Sequence, residues 1–240
     1  MSELQPLDDY HSESKKKARK NVRKFITRPA LKTLLSTRVE GQDNVAGLEG
    51  AYIVVGNHTS HLDAPMVFTL LPEHMTEKLA TGAAADYWYR RPAISKVTSL
   101  FFNTYPIERK HSSGPGAGKA KGMTSRLLRE GIPILIFPEG TRSRTGEPGE
   151  FKVGAAALAI KFAIPIVPLA LRGGHEAMPV GAVFPTPNRP PVDMFIGKPM
   201  YAEEGDDAEA FMARVRAHIM AMLEEGSANP AGEVGTAEEE

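Results

Sequence analysis

Three short apolar runs pass without a spacer into dense polar clusters, and this pattern constrains the fold more than any other feature of the chain. Residues 51–56 lead into Asn57, His58, Thr59, Ser60, His61, Leu62 and Asp63. Residues 104–107 lead into Glu108, Arg109 and Lys110. Residues 132–137 lead into Pro138, Glu139, Gly140, Thr141, Arg142 and Ser143. Short apolar runs bounded by turn formers read as buried strands. Further strands are expected at 78–85, 165–171 and 192–196. Helical segments are expected at 64–71, at the Ala-rich 153–162 and at 208–223, where Phe211, Val215, Ile219 and Leu223 recur every fourth position. The alternation predicts an α/β fold, a central mixed and mostly parallel sheet flanked by helices. Open sheets of this kind bind ligands outside the carboxyl ends of their strands. Parallel strands would therefore bring the three polar clusters to one edge.

The ends have a different character. Residues 1–10 are polar and acidic, lack the apolar core of a secretory signal, and read as a disordered N-terminus. Residues 11–38 carry Lys15, Lys16, Lys17, Arg19, Lys20, Arg23, Lys24, Arg28, Lys32 and Arg38, with no acidic residue between Lys15 and Arg38. Val22, Phe25, Ile26, Leu31, Leu34 and Leu35 add apolar positions at roughly helical spacing, and Pro29 is expected to split the segment into two short helices. A basic amphipathic segment of this kind suits an anionic membrane surface, where each Lys or Arg contributes about 1 kcal/mol. A helix packed on the domain, or a nucleic-acid arm, would look similar. The folded domain is expected at 39–225 and a disordered acidic tail at 226–240.

Formal net charge is zero, so the chain as a whole is no nucleic-acid polycation, and a nucleic-acid partner is not expected. There is no cysteine, which excludes disulfides, thiolate metal sites and Cys nucleophiles. The most apolar stretch, 153–171, is interrupted by Lys161, Pro165 and Pro168, so it reads as a helix and a strand rather than a membrane span. A membrane would be met from its surface.

Chemistry concentrates in the clusters. His58 is the candidate general base, because imidazole titrates near neutrality. Asp63 could hold its other ring nitrogen, as a carboxylate does in a Ser-His-Asp triad. The separation suits a turn rather than a straight helix, and a helix cap at Asp63 is the plainer alternative. His58, His61 and Asp63 do not match common zinc spacing. Ser60 lacks a Gly-x-Ser-x-Gly setting. Arg109 and Arg142 suit bidentate binding of phosphate, or else surface ion pairs. Glu139 sits in a constrained Pro-Glu-Gly turn, where it could meet a substrate hydroxyl or orient Arg142. Residues 112–121 hint at a phosphate-binding loop. However, Ser113 stands where that pattern needs Gly, and Ala120 where it needs Ser or Thr.

Taken in order, His58-(four residues)-Asp63, Pro106-Ile107-Glu108-Arg109, Phe137-Pro138-Glu139-Gly140-Thr141-Arg142-Ser143 and Ile164-Pro165-Ile166-Val167-Pro168-Leu169 resemble the 1-acylglycerol-3-phosphate acyltransferase family, within the glycerophospholipid acyltransferases. The stretch from Ala83 to Trp88 also suits that family. The resemblance covers residues 40 to 200. It implies that 39–225 is a glycerolipid acyltransferase domain in which His58 is the base and Asp63 its partner. Arg109 and Arg142 would hold the acceptor phosphate. Glu139, with Gly140 and Thr141, would support the acceptor side, and Pro168 would be structural. The implied reaction moves a fatty acyl group from acyl-CoA or acyl carrier protein to a lysophosphatidic-acid-like hydroxyl, giving phosphatidic acid without metal or other cofactor. Glycerol 3-phosphate, another lysophospholipid or a glycolipid are alternative acceptors. An ester or thioester hydrolase and a non-catalytic lipid-binding domain are alternative activities. The implied location is peripheral, at the cytoplasmic face of a membrane.

Overall fold

The structure is a computed structural model that describes residues 10, 12–84, 102–107, 122–182 and 184–228. Seven strands form one sheet in the order β1-β7-β6-β2-β5-β3-β4. They are β1 (Ser36–Glu40), β2 (Ile53–Gly56), β3 (Ala80–Ala84), β4 (Thr104–Ile107), β5 (Ile134–Ile136), β6 (Ile166–Arg172) and β7 (Pro191–Ile196). Every neighbouring pair is parallel except β6–β7, so the sheet is mixed and mostly parallel as the alternation predicts. β2 through β6 share one direction, and their carboxyl ends share one edge.

The strands alternate as a sheet buried on both faces must. Ile53, Val55, Ile134 and Ile166 enter one core cluster with Leu127, Ala155, Ala159, Phe211, Val215 and Ile219. Tyr52, Val54, Leu135, Val167 and Leu169 enter the other with Met66, Val67 and Leu71. The first face is covered by α5 (Met123–Arg129), α6 (Gly154–Phe162) and α8 (Ala208–Ala228). The second is covered by α3 (Asp63–Leu70), with the short α4 (Glu73–Thr76) and α7 (Gly174–Ala177). The stretch 153–171 is indeed a helix followed by a strand. Among the described residues no helix is long and apolar enough to cross a membrane.

Three boundaries differ from expectation. β1 straddles the expected boundary between the arm and the domain, with Ser36 to Arg38 on the arm side. As a half-covered edge strand of sequence Ser-Thr-Arg-Val-Glu it has no apolar run to betray it. Tyr10, the last residue of the expected N-terminal tail, is fully buried and its hydroxyl donates to the Thr104 carbonyl at 3.2 Å. α8 continues to Ala228, past the expected start of the tail. There Gly226 lies so close on the Phe195 ring that an added Cβ would sit 2.4 Å from it.

The arm is helical, as α1 (Glu13–Val22), a π-helical turn (Arg23–Thr27) and α2 (Arg28–Leu34). Pro29 does not split it. The N–H of Arg28 reaches back to Arg23, and Pro29 occupies the first turn of α2, where a missing N–H is tolerated. Nor do all its cations face solvent. Arg19 is buried and donates to the Glu77 carbonyl at 2.9 Å and the Asn103 side chain at 3.3 Å. Arg23 is buried and donates to the carbonyls of Thr69 at 3.1 Å and Leu71 at 2.7 Å and to the hydroxyl of Thr76. Burial, then the nearby Arg28, lowers the Arg23 pKa to about 10, which leaves it charged at neutral pH. Phe25 and Ile26 are 67% and 61% exposed, on the same arm as the exposed Lys17, Lys24 and Lys32.

Candidate active site

β2 and β5 are adjacent, so the loops that leave them meet. The β2 loop carries His58 and Asp63. The β5 loop carries residues 137–143. Asn57 fixes the start of the first loop by continuing the β2–β6 pairing with its side chain. Its amide donates to the Leu171 carbonyl and accepts from the Leu171 N–H, both at 2.8 Å.

Asp63 begins α3 and is fully buried. Its Oδ2 accepts from the backbone N–H groups of Thr59 at 2.7 Å and Ser60 at 2.8 Å, and lies 2.8 Å from His58 Nδ1. The turn expected between strand and helix is therefore built around this carboxylate; Leu62, not Asp63, is the N-cap of α3, and the Asp63 side chain binds amides of the turn that precedes the helix as well as facing His58. With two amides already donating to it, the carboxylate accepts a hydrogen bond from Nδ1–H of the neutral ring. That leaves Nε2 of His58 with its lone pair, the state a general base requires. Ser60 is turned away from nucleophilic work, since its hydroxyl donates to the Met178 carbonyl at 2.8 Å.

The β5 loop grips the same histidine. Phe137 stacks on the His58 ring with centroids 4.2 Å apart and planes at 16°. Glu139 is buried, and its Oε1 accepts the His58 N–H at 2.7 Å. Its Oε2 accepts the Gly149 N–H at 2.9 Å. Ser143 N–H donates to the His58 carbonyl at 2.8 Å. Glu139, expected beside the acceptor, thus directs both carboxylate oxygens to backbone. Gly140 has φ +74°, and its N–H closes a turn on the Phe137 carbonyl at 3.1 Å. Gly140 and Thr141 are exposed at the site.

Arg142 is one described cation of the site, and Lys152 is another, its Nζ 2.6 Å from where a Cβ on Gly140 would sit. Arg142 Nη1 is buried without a hydrogen-bond partner among the described residues. Its charge is felt at His61, whose pKa is lowered by partial burial first and then by Arg142 and His58. Arg109, Glu108, Lys110, the stretch from Ala85 to Trp88 and the loop 112–121 lie outside the described residues. β4 ends at the same sheet edge, with Ile107 registered to Ala84. The partners that sequence reading missed are Asn57, Phe137 and Gly149. No spacing signals them, because their contacts run between loops distant in the chain.

This arrangement offers a base with a bound carboxylate and a guanidinium whose Nη1 is unpaired among the described residues, on one edge of an α/β sheet. The family model described as Acyltransferase matches residues 36–172. The chain is 30% identical over 170 residues to the chloroplastic 1-acyl-sn-glycerol-3-phosphate acyltransferase BAT2 of Brassica napus, covering 71% of this chain and 46% of that protein. It is 28% identical over 186 residues to 1-acyl-sn-glycerol-3-phosphate acyltransferase alpha of Ovis aries, covering 75% and 61%. The chain thus spans about half the length of its plant relative. The crystal structure of the 1-acyl-sn-glycerophosphate (LPA) acyltransferase PlsC from Thermotoga maritima shares the fold, with a TM-score of 0.67 and 23% identity over 93% of this chain and 88% of that one. The family match runs from β1 to the end of β6 and takes in both loops of the His58 site, and the chain belongs to the acyltransferase family.

Proposed function

We propose that this chain transfers a fatty acyl group from a thioester, acyl-CoA or acyl carrier protein, to the free hydroxyl of lysophosphatidic acid. The observation that carries this is the buried Asp63 holding His58 Nδ1 while Arg142 Nη1 nearby is buried and has no partner among the described residues. Nε2 takes the proton of the acceptor hydroxyl as its oxygen attacks the thioester carbonyl. The tetrahedral adduct collapses, the C–S bond breaks, and the proton passes from His58 to the leaving thiolate. Arg142 and Arg109 hold the acceptor phosphate. A base contributes about 10²–10⁴-fold in such reactions, and positioning and electrostatics supply the rest. The names of the matched relatives support this acceptor.

The same reading puts the arm on an anionic membrane surface, peripheral and on the cytoplasmic side. Phe25 and Ile26 enter the interface while the exposed lysines face anionic headgroups.

The test is thiol release from palmitoyl-CoA with and without lysophosphatidic acid, for wild type and His58→Ala. Acceptor-dependent release, phosphatidic acid as product, and a loss of about 10²-fold or more in the variant are expected. Release without acceptor would instead assign the site to hydrolysis.

A further inference from the structure

We propose that Glu139 is a positioning residue for His58 and not a ligand of the acceptor, and that residues 137–143 act together as a clamp on the base. The inference rests on the reaction proposed above. One short segment holds one residue at three separate points. The Phe137 ring stacks on the imidazole, Glu139 Oε1 accepts the backbone N–H, and the Ser143 N–H donates to the backbone carbonyl. With Asp63 on Nδ1, both ring and main chain of His58 are fixed before any substrate arrives.

The chemistry of residue 139 follows from its surroundings. The two groups facing its side chain, the N–H of His58 and the N–H of Gly149, are both donors. Two converging donors need a side chain that accepts on both ends, and only a carboxylate does so. An amide would accept on one end and turn an NH₂ toward the other donor. Closeness at Gly149 completes the seat, since an added Cβ would lie 3.2 Å from Glu139 Oε2. A buried carboxylate already bonded on both oxygens is poorly placed to bind a substrate hydroxyl as well. The adjoining Gly140 and Thr141 are the exposed part of the turn.

The test uses Glu139→Gln and Phe137→Leu, measured with whichever acceptor the wild type turns over. A clamp predicts kcat lowered between about 10- and about 100-fold in Glu139→Gln, the range a misplaced reacting group costs, with acceptor KM within about threefold. Phe137→Leu, which leaves the carboxylate intact, should lower kcat in the same selective way. In the His58→Ala background Glu139→Gln should leave direct binding of lysophosphatidic acid unchanged. A rise of about tenfold in acceptor KM or Kd with kcat retained would overturn the proposal, and so would full kcat in Phe137→Leu. If Glu139→Gln does not fold, Phe137→Leu alone decides. One readout needs no substrate. The proton resonance of His58 Nδ1–H should shift or broaden in Glu139→Gln, and an unchanged signal counts against the clamp. Failure of wild type to transfer acyl groups would refute the reaction and leave this last measurement standing.

Discussion

His61 reports on Arg142. Partial burial, then the positive charge of Arg142 and the neighbouring His58 ring, hold its pKa below the ordinary histidine value. An anion seated on Arg142 would offset part of that charge and raise the His61 pKa. A titration of His61 by NMR should therefore move upward on adding inorganic phosphate or lysophosphatidic acid. An unmoved midpoint would remove Arg142 from phosphate binding. The sign also bears on stability. Because the folded pKa is depressed, stability falls as pH drops from the ordinary histidine value through the folded one, and bound phosphate should weaken that fall. At this scale much was legible beforehand. His58, Asp63 and Arg142 were visible because each follows an apolar run at a suggestive spacing. The seat of Glu139 was not, since its partner His58 lies 81 positions away and only pairing of β2 with β5 brings the two together.

Among the elements, the arm departs furthest from its appearance in the sequence. Its cations read as a solvent-facing series, yet Arg19 and Arg23 turn inward. What decides their direction is a set of carbonyls at Thr69, Leu71 and Glu77, left open where α3 and α4 end. A basic run in a single sequence cannot show which of its members meet such acceptors. Arg23 therefore caps the carboxyl end of the helix that begins with Asp63, and the arm is part of the folded unit. Replacing Arg23 by Ala should cost about 2–4 kcal/mol in urea unfolding, because the Leu71 carbonyl loses its donor and the Thr69 carbonyl keeps only the longer bond from Arg28. Replacing the exposed Lys24 by Ala should stay within about 0.5 kcal/mol. Equal effects from the two would mean that the inward contacts contribute nothing.

For the whole molecule, the proposed function is that of an enzyme working at an interface, with the arm as its docking element. Phe25→Asp with Ile26→Asp should lower activity on anionic vesicles by about tenfold or more, since losing buried apolar area and adding like charge both oppose docking. Activity on detergent-dispersed acceptor should remain within about twofold. A parallel loss on both substrates would show that these side chains serve the fold instead. The α/β class and the approximate place of six strands could be read from apolar runs. Strand order could not, because β5 inserts between β2 and β3, and no local pattern encodes that register. β1 escaped for a related reason. Its partner is β7, with Ser36 opposite Pro191 and Glu40 opposite Phe195. That pairing also governs how the molecule can be made. As the chain leaves the ribosome, the arm and β1 are available long before the strand that receives β1 exists. The apolar positions of the arm thus have ample time to meet a lipid surface, or a chaperone, before the sheet edge beside them is closed.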